Sequence, residues 1–397
     1  MVITEAQTPE GPRRVRILHV LPDLDMAGGQ QVLQRLLDGM DRERFEHFIC
    51  YFLPNHEMRE RFEATGARVT YVPHRGWWSW PRTLSGIVCF TRKNAIDVIH
   101  INRTPIDKIH GQLAALICRR PLVSTLHGPR WRPGPRWALF KHRIRETFEH
   151  VLDPCTTDRV VAVSDHVLES WRPYLEARRV PISRMIVVRN GVPPEKFDRN
   201  VHRDEIENLR AALGVENVYP ILVTVGRLDA NKGHRFLIPM MERVCEKQPE
   251  ARLYIVGDGP LREDLRARIA ERGMTEHIEL LGRRHDVPVL LGLSDVFVFS
   301  SLGEGLPLAV LEAMAAATPV VAFHLPALTD LVENGIHGFH VHPQDVEALA
   351  DRVLDVVRAP ERAAAMGREA NRRVIEEYDI HRSIRSIERI YEEAARS

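Results

Sequence analysis

Ser301–Pro319 reads SLGEGLPLAVLEAMAAATP, preceded by VFVFS at 296–300 and followed by VVAF at 320–323. The apolar run before it, held between Asp295 and Ser300, predicts a short buried strand. Gly303-Glu304-Gly305 interrupts the chain, and Pro307 stands where a first helical turn opens. Leu308–Ala317 consists of strong helix formers, and Pro319 stops the helix. Strand, glycine loop, helix and strand is the repeating unit of a parallel α/β sheet. Glu304 falls on the loop, and Glu312 about a turn and a half into the helix.

Two carboxylates at this spacing suit acid/base work on a glycosidic bond, and a loop glutamate alone is also compatible with a solvated surface. Glu312 is harder to read as surface, because Leu311, Ala313, Met314 and Ala315 leave it little polar face, and an acid among apolar residues needs a partner. Carboxylates accept paired hydrogen bonds, and the vicinal hydroxyls of a sugar or ribose offer paired donors. The N–H groups of a glycine loop at a helix N-terminus favour an anion. The combination fits a sugar nucleotide.

EGLPLAVLEAMA followed by TPVVA, with seven residues between Glu304 and Glu312, resembles the E-x7-E signature of retaining glycosyltransferases of the GT-B fold, family four. The resemblance implies an α/β protein of two Rossmann-like doubly wound domains facing across a cleft. An acceptor-binding domain over 1–195 and a nucleotide-sugar domain over 196–377 are expected, with a last helix, 378–397, packing back on the first domain. It also implies that Glu304 meets the donor sugar hydroxyls and Glu312 the ribose, with Gly305, Leu306, Pro307 and Leu308 lining the donor.

Composition is consistent with this. The chain has 397 residues, 44% of them hydrophobic, enough for two cores. Five scattered cysteines with no C-x-x-C indicate neither a disulfide framework nor a zinc site, and point to a reducing, cytoplasmic setting. No run of 18 apolar residues predicts a membrane span, and the polar N-terminus is unlike a signal peptide. Residues 1–199 carry 31 Lys and Arg against 22 Asp and Glu, and the rest of the chain 24 against 32. A basic half and an acidic half suggest different docking tasks.

In the first half, Val15–Val20 predicts a first strand, and Gly28-Gly29 precedes a helical pattern of Val32, Leu33, Leu36, Leu37 and Met40. The pair stands at the first βα junction, the ligand edge of an open parallel sheet, and is similar to the family's GG loop beneath the donor phosphate. Asp23-Leu24-Asp25 spells a D-x-D that we read as coincidental. VSTLHG ends a predicted strand at His127, similar to the family's histidine facing the donor sugar; without that likeness a structural histidine fits equally well. From Arg119 to Arg145 there are eight basic residues and no acid, interleaved with Trp131, Trp137 and Phe140, and HRGWWSW at 74–80 repeats the mixture. These stretches predict contact with an anionic membrane surface or an anionic lipid-linked acceptor, or else a solvated face over ordinary core. Nucleic acid is not expected.

VVRNGVPPEKF, 187–197, resembles the family's link between domains. Ile221–Val225 then leads into GRLDANKG, 226–233, where Arg227 and Lys232 are the expected diphosphate cations. Gly257, in a GDGP turn, is an expected nucleotide contact, and Gly282-Arg283 borders the base. LPALTD, 325–330, departs from the family pattern, with Leu325-Pro326 in place of Gly-Gly and Asp330 in place of Glu. No metal or other cofactor is expected, the partners being a nucleotide-sugar donor and a glycan or lipid-linked acceptor. Two rivals share this architecture: a sugar-nucleotide epimerase and an inactive binding scaffold. A nicotinamide oxidoreductase is disfavoured by the lack of G-x-G-x-x-G after the first strand.

Overall fold

The computed structural model describes residues 13–102, 105–130, 152–153 and 155–397, without the side chains of 77 and 105–107. Two compact units result, one of Met1–Val188 with Ser383–Ser397, the other of Arg189–Arg382.

The first unit holds a seven-stranded parallel sheet, β1 (Val15–Leu21), β2 (Phe45–Tyr51), β3 (Arg68–Tyr71), β4 (Val98–Ile101), β5 (Leu122–Leu126), β6 (Thr157–Ala162) and β7 (Met185–Val187). Their order is β3-β2-β1-β4-β5-β6-β7, so the chain reverses its direction of travel between β1 and β4. The central strands are buried on both sides, as parallel strands covered by helices must be. Alternation divides them cleanly. Leu18, Val20, Phe48, Cys50, Ile99 and Ile101 point into a core with Ile87, Ala114 and Ala115 from two helices. The other face carries a row of histidines. His19 pairs in register with His100, and His47 with Ile17, so His19, His47 and His100 share a side. The helix Ile380–Arg396 covers them with Ile384, Ile387, Ile390 and Tyr391, all buried.

Hydrogen bonds link the row, although the buried His47 Nε2 meets no partner among the described residues. His19 Nε2 lies 3.1 Å from His47 Nδ1, and His100 Nε2 2.8 Å from Thr125 Oγ1. Tyr391 Oη lies 2.8 Å from His100 Nδ1. Burial holds all three imidazoles below the usual range, His47 to about 4 and His100 to about 3, so they are neutral near pH 7. The glycine pair, read as preceding a helix, forms the first two residues of the helix Gly28–Gly39.

The second unit has a six-stranded parallel sheet: β8 (Ile221–Val225), β9 (Arg252–Val256), β10 (Ile278–Gly282), β11 (Val296–Phe299), β12 (Val320–Phe323) and β13 (Gly338–Val341). Its order is β10-β9-β8-β11-β12-β13, so β8 and β11 flank the reversal. In an open parallel sheet the strand ends at such a point diverge and leave room for a ligand. Helices Leu237–Lys247 and Val346–Val357 pack on the sheet through Met240, Met241, Val244, Leu349 and Val353. The link residue Gly191 lies against the backbone of Ile380, where a Cβ would come within 2.5 Å.

Candidate functional site

The loops that leave β8 and β11 are bonded to each other. After β8, Gly226-Arg227-Leu228-Asp229 leads into a single turn, Ala230–Lys232, capped by the Asp229 carboxylate, which accepts from the N–H of Asn231 at 2.9 Å and of Lys232 at 3.2 Å. Gly233 follows with φ of +66°, its α-carbon pressed so close to β11's continuation that a Cβ would stand 2.1 Å from the Ser300 carbonyl oxygen. Only glycine meets both conditions. Asn231 Nδ2 donates to the Gly303 carbonyl at 2.7 Å, and Leu302 N–H donates to the Asn231 carbonyl at 2.7 Å.

This stapling delivers the cation to the acid. Lys232 Nζ donates to Glu304 Oε1 at 2.6 Å, and Ser301 Oγ donates to the same oxygen at 2.7 Å. Glu304 Oε2 accepts no hydrogen bond from the described residues. Both side chains are partly open, Lys232 at 26% and Glu304 at 14% of full exposure, so a ligand can reach either. Arg227 is exposed on the same loop, five residues before Lys232.

The turn after β9 buttresses that loop. Leu228 N–H donates to the Asp258 carbonyl at 3.0 Å, and Leu261 N–H to the Leu228 carbonyl at 3.0 Å. A Cβ on Gly257 would lie 2.0 Å from the Gly226 carbonyl oxygen, and one on Gly259 2.5 Å from that of Leu228. Here the geometry explains Gly257 by close backbone approach. His234, just beyond Gly233, is held to about 4 by burial and then by the Lys232 charge, which keeps it neutral.

The helix Leu308–Ala315 begins after Pro307 and buries Val310, Leu311, Ala313 and Met314; Glu312 is buried with them. Leu306 and Pro307 are buried as well, while Leu308 is half-buried. The helix's far end is tied down by two side chains that sequence reasoning did not single out. Arg199 Nε donates to the Ala316 carbonyl at 2.7 Å, and its Nη2 to Thr318 Oγ1 at 2.8 Å and the Ser294 carbonyl at 3.1 Å. Asn371 Nδ2 donates to the Ala315 carbonyl at 2.6 Å. A cation at the C-terminal carbonyls is where the helix dipole favours one.

In the first unit, His127 follows β5 directly and its ring rests on the first helical turn. A Cβ on Gly29 would lie 3.4 Å from His127 Cδ2, whereas Gly28 has open space around it. Burial lowers His127 to about 4, and its Nε2 is closed off without a partner among the described residues. Gly28, Gly29 and His127 therefore converge in this unit. Arg227, Lys232, Gly257, Glu304 and the 305–308 loop converge in the other. Asn231, Ser301 and Arg199 were not anticipated; the only trace of Asn231 in the sequence is its place beside Lys232-Gly233. Of the basic-aromatic stretch 119–145, residues 131–145 lie outside the described residues. Among the described residues no helix is long and apolar enough to cross a membrane.

Comparison with known proteins bears on the fold and the family. The family model described as Glycosyltransferase Family 4 matches residues 26–196, and Glycosyl transferases group 1 matches 205–373. An Escherichia coli relative, UDP-Gal:alpha-D-GlcNAc-diphosphoundecaprenol alpha-1,3-galactosyltransferase, is 28% identical over 69% of this chain and 70% of its own. The 2-deoxystreptamine N-acetyl-D-glucosaminyltransferase of Streptomyces fradiae is 32% identical over 67% of this chain and 64% of its own. Among solved structures, Anabaena HepE in complex with UDP superposes with a TM-score of 0.81, at 21% identity, over 96% of this chain and 100% of that one. Sucrose-phosphate synthase from Thermosynechococcus elongatus gives 0.73, at 19% identity, over 96% and 99%. With two family models matched in tandem and the two parallel sheets those neighbours share, this chain is a glycosyltransferase of the GT-B fold.

Proposed function

We propose that the enzyme moves a sugar from a nucleoside-diphosphate sugar to a glycan or lipid-linked acceptor with retention of anomeric configuration. The single observation that carries the donor half is the Lys232–Glu304 contact at the β8/β11 reversal, an acid and a cation held on adjoining loops. A sugar hydroxyl can donate to the vacant Glu304 Oε2, while Lys232 keeps two further N–H donors for phosphate oxygens. Arg227 and Lys232 are then positioned as fixed charge for the departing diphosphate, where negative charge grows in the transition state. The N–H groups at the start of the Leu308–Ala315 helix add to that field. Glu312 is read as the ribose partner, with Gly305, Leu306, Pro307 and Leu308 alongside, and Gly257 as support for the nucleotide loop.

On the first unit, Gly28, Gly29 and neutral His127 are read as a polar platform whose imidazole hydrogen-bonds rather than carries charge. The donor class and acceptor class draw on the relatives: the Escherichia coli enzyme is named for UDP-Gal and a diphosphoundecaprenol-linked sugar, and HepE was solved with UDP-glucose. In this reading the two fixed cations make a divalent ion dispensable, so a chelator leaves turnover unchanged.

The test is nucleoside diphosphate release from a panel of nucleotide sugars, with and without lipid extract, and product anomer by NMR. Acceptor-dependent release, lowered at least about 100-fold in Glu304→Ala, is expected. Donor conversion without acceptor would instead favour the epimerase, and turnover of Glu304→Ala within a few-fold of wild type would remove Glu304 from the site.

A further inference from the structure

Two helices of the first unit, Trp80–Lys93 and Pro105–Cys118, lie side by side on the sheet face opposite the histidine row. The Trp80 and His110 rings are 5.0 Å apart, and Cys118 Sγ lies 3.9 Å from the Val88 carbonyl, so the two run in the same direction as one slab. Their inner sides are core. Their outer surface takes no part in the donor loops or the histidine row, yet the second helix exposes Leu116 at 50% and Ile117 at 45%, and the turn Trp77–Ser79 that leads into the first exposes Trp78 at 91%.

Around these apolar groups stand Arg75, Arg82, Arg92, Lys93, Arg119 and Arg120, all exposed. None of the six forms an ion pair among the described residues. The contrast with the other helices is sharp. Arg59 pairs with Glu63, Arg266 with Glu263, Arg268 with Asp264, and Arg372 with both Glu369 and Glu376. Acids are sparse in this part of the sequence: residues 64–96 and 108–130 contain no Asp or Glu, Asp97 is engaged by Arg13 and Arg16, and Asp107 stands near the start of the second helix, away from the Leu116–Arg120 end. A merely solvated helix face explains the charge but not three bare apolar side chains among it.

We propose that this slab docks the enzyme on an anionic lipid bilayer. Exposed Trp, Leu and Ile enter the boundary between headgroups and acyl chains, and the unpaired cations hold anionic headgroups. A helix of 14 residues is about 21 Å long, so Trp78 and the Leu116–Arg120 cluster contact the surface as two separated footholds. The inference deepens the reading of a lipid-linked acceptor, though it stands on this surface alone and survives if the acceptor is soluble.

The experiment is co-sedimentation of the full chain with vesicles of phosphatidylcholine plus phosphatidylglycerol, or of phosphatidylcholine alone. Wild type is expected to bind the anionic vesicles at least about tenfold more tightly, and high salt to weaken it. Arg92→Glu/Lys93→Glu/Arg119→Glu/Arg120→Glu is expected to lose at least about tenfold, Leu116→Ser/Ile117→Ser several-fold, and Arg266→Gln/Arg268→Gln nothing. The thermal shift given by UDP, read on every variant, reports folding and donor binding separately. Equal partitioning of wild type on both vesicle types overturns the proposal, as does undiminished binding by a folded charge-reversal variant. So does binding to polyuridylate as tight as to vesicles and indifferent to Leu116→Ser/Ile117→Ser. Should charge reversal prevent folding, the serine pair decides alone. Loss of the UDP shift with vesicle binding intact counts against the donor site only.

Discussion

Lys232 and Glu304 stand 72 residues apart in sequence, and their side chains meet at 2.6 Å across adjoining loops. Each neutralises the other through this contact, so removing one has the opposite effect on anion binding from removing the other. Lys232→Ala should weaken UDP about 10- to 100-fold, the loss of a charge-assisted contact. Glu304→Gln, which releases Lys232, should bind UDP as tightly as wild type or more so, while sugar transfer falls. Calorimetric titration with UDP measures both.

Gly233 has a backbone that side chains avoid and no room for a Cβ beside the Ser300 carbonyl. Gly233→Ala should therefore destabilise the second unit by more than about 2 kcal/mol and displace Lys232. Urea unfolding gives the first effect, and UDP affinity the second.

Arg199 holds the end of the Glu312 helix through the Ala316 carbonyl and Thr318. Arg199→Met keeps the aliphatic stem but leaves those buried acceptors unmet. A loss of about 2–4 kcal/mol is expected in urea unfolding. Arg199→Lys should recover only part, since one ammonium cannot reproduce the fork.

The histidine row sets the acid limb of stability. His47 and His100 titrate at about 4 and 3 when folded and near 6.5 when unfolded. The unfolded chain therefore binds more protons between these values, so stability is complete above about pH 6.5 and falls as pH drops toward 4. His47→Asn keeps an acceptor near Nδ1 and cannot titrate. It should flatten the slope by up to about 1.4 kcal/mol per pH unit, measured by urea unfolding from pH 7 to pH 5.

Much of the fold was legible in the chain because its strands are short apolar runs closed by glycine turns, as at Val296–Phe299 and Ile221–Val225. The loop positions of Glu304 and Lys232 followed from the same strand ends, and the structure brings their side chains together; the roles expected of them came from the family resemblance, since a charged loop residue alone also reads as solvated surface. The histidine row was not. His19, His47 and His100 each interrupt a different strand once, and only the register that brings them to one face shows that they act together. Arg199 was invisible because its partners are main-chain carbonyls, which no residue pattern announces. Gly28 and Gly29 were placed before the helix that they begin, since glycine is a poor guide to a helix start.

The helix that seals the histidine row follows the second unit in sequence, although the rest of its own unit precedes it. Residues 383–397 complete a body begun by residues 1–188, and everything from 189 to 382 is made in between. During synthesis the second unit, continuous in sequence, has all its parts on hand before the first does. Until residues 383–397 emerge from the ribosome, the imidazole layer stays uncovered, and during that interval a nascent chain of this enzyme is open to chaperones there.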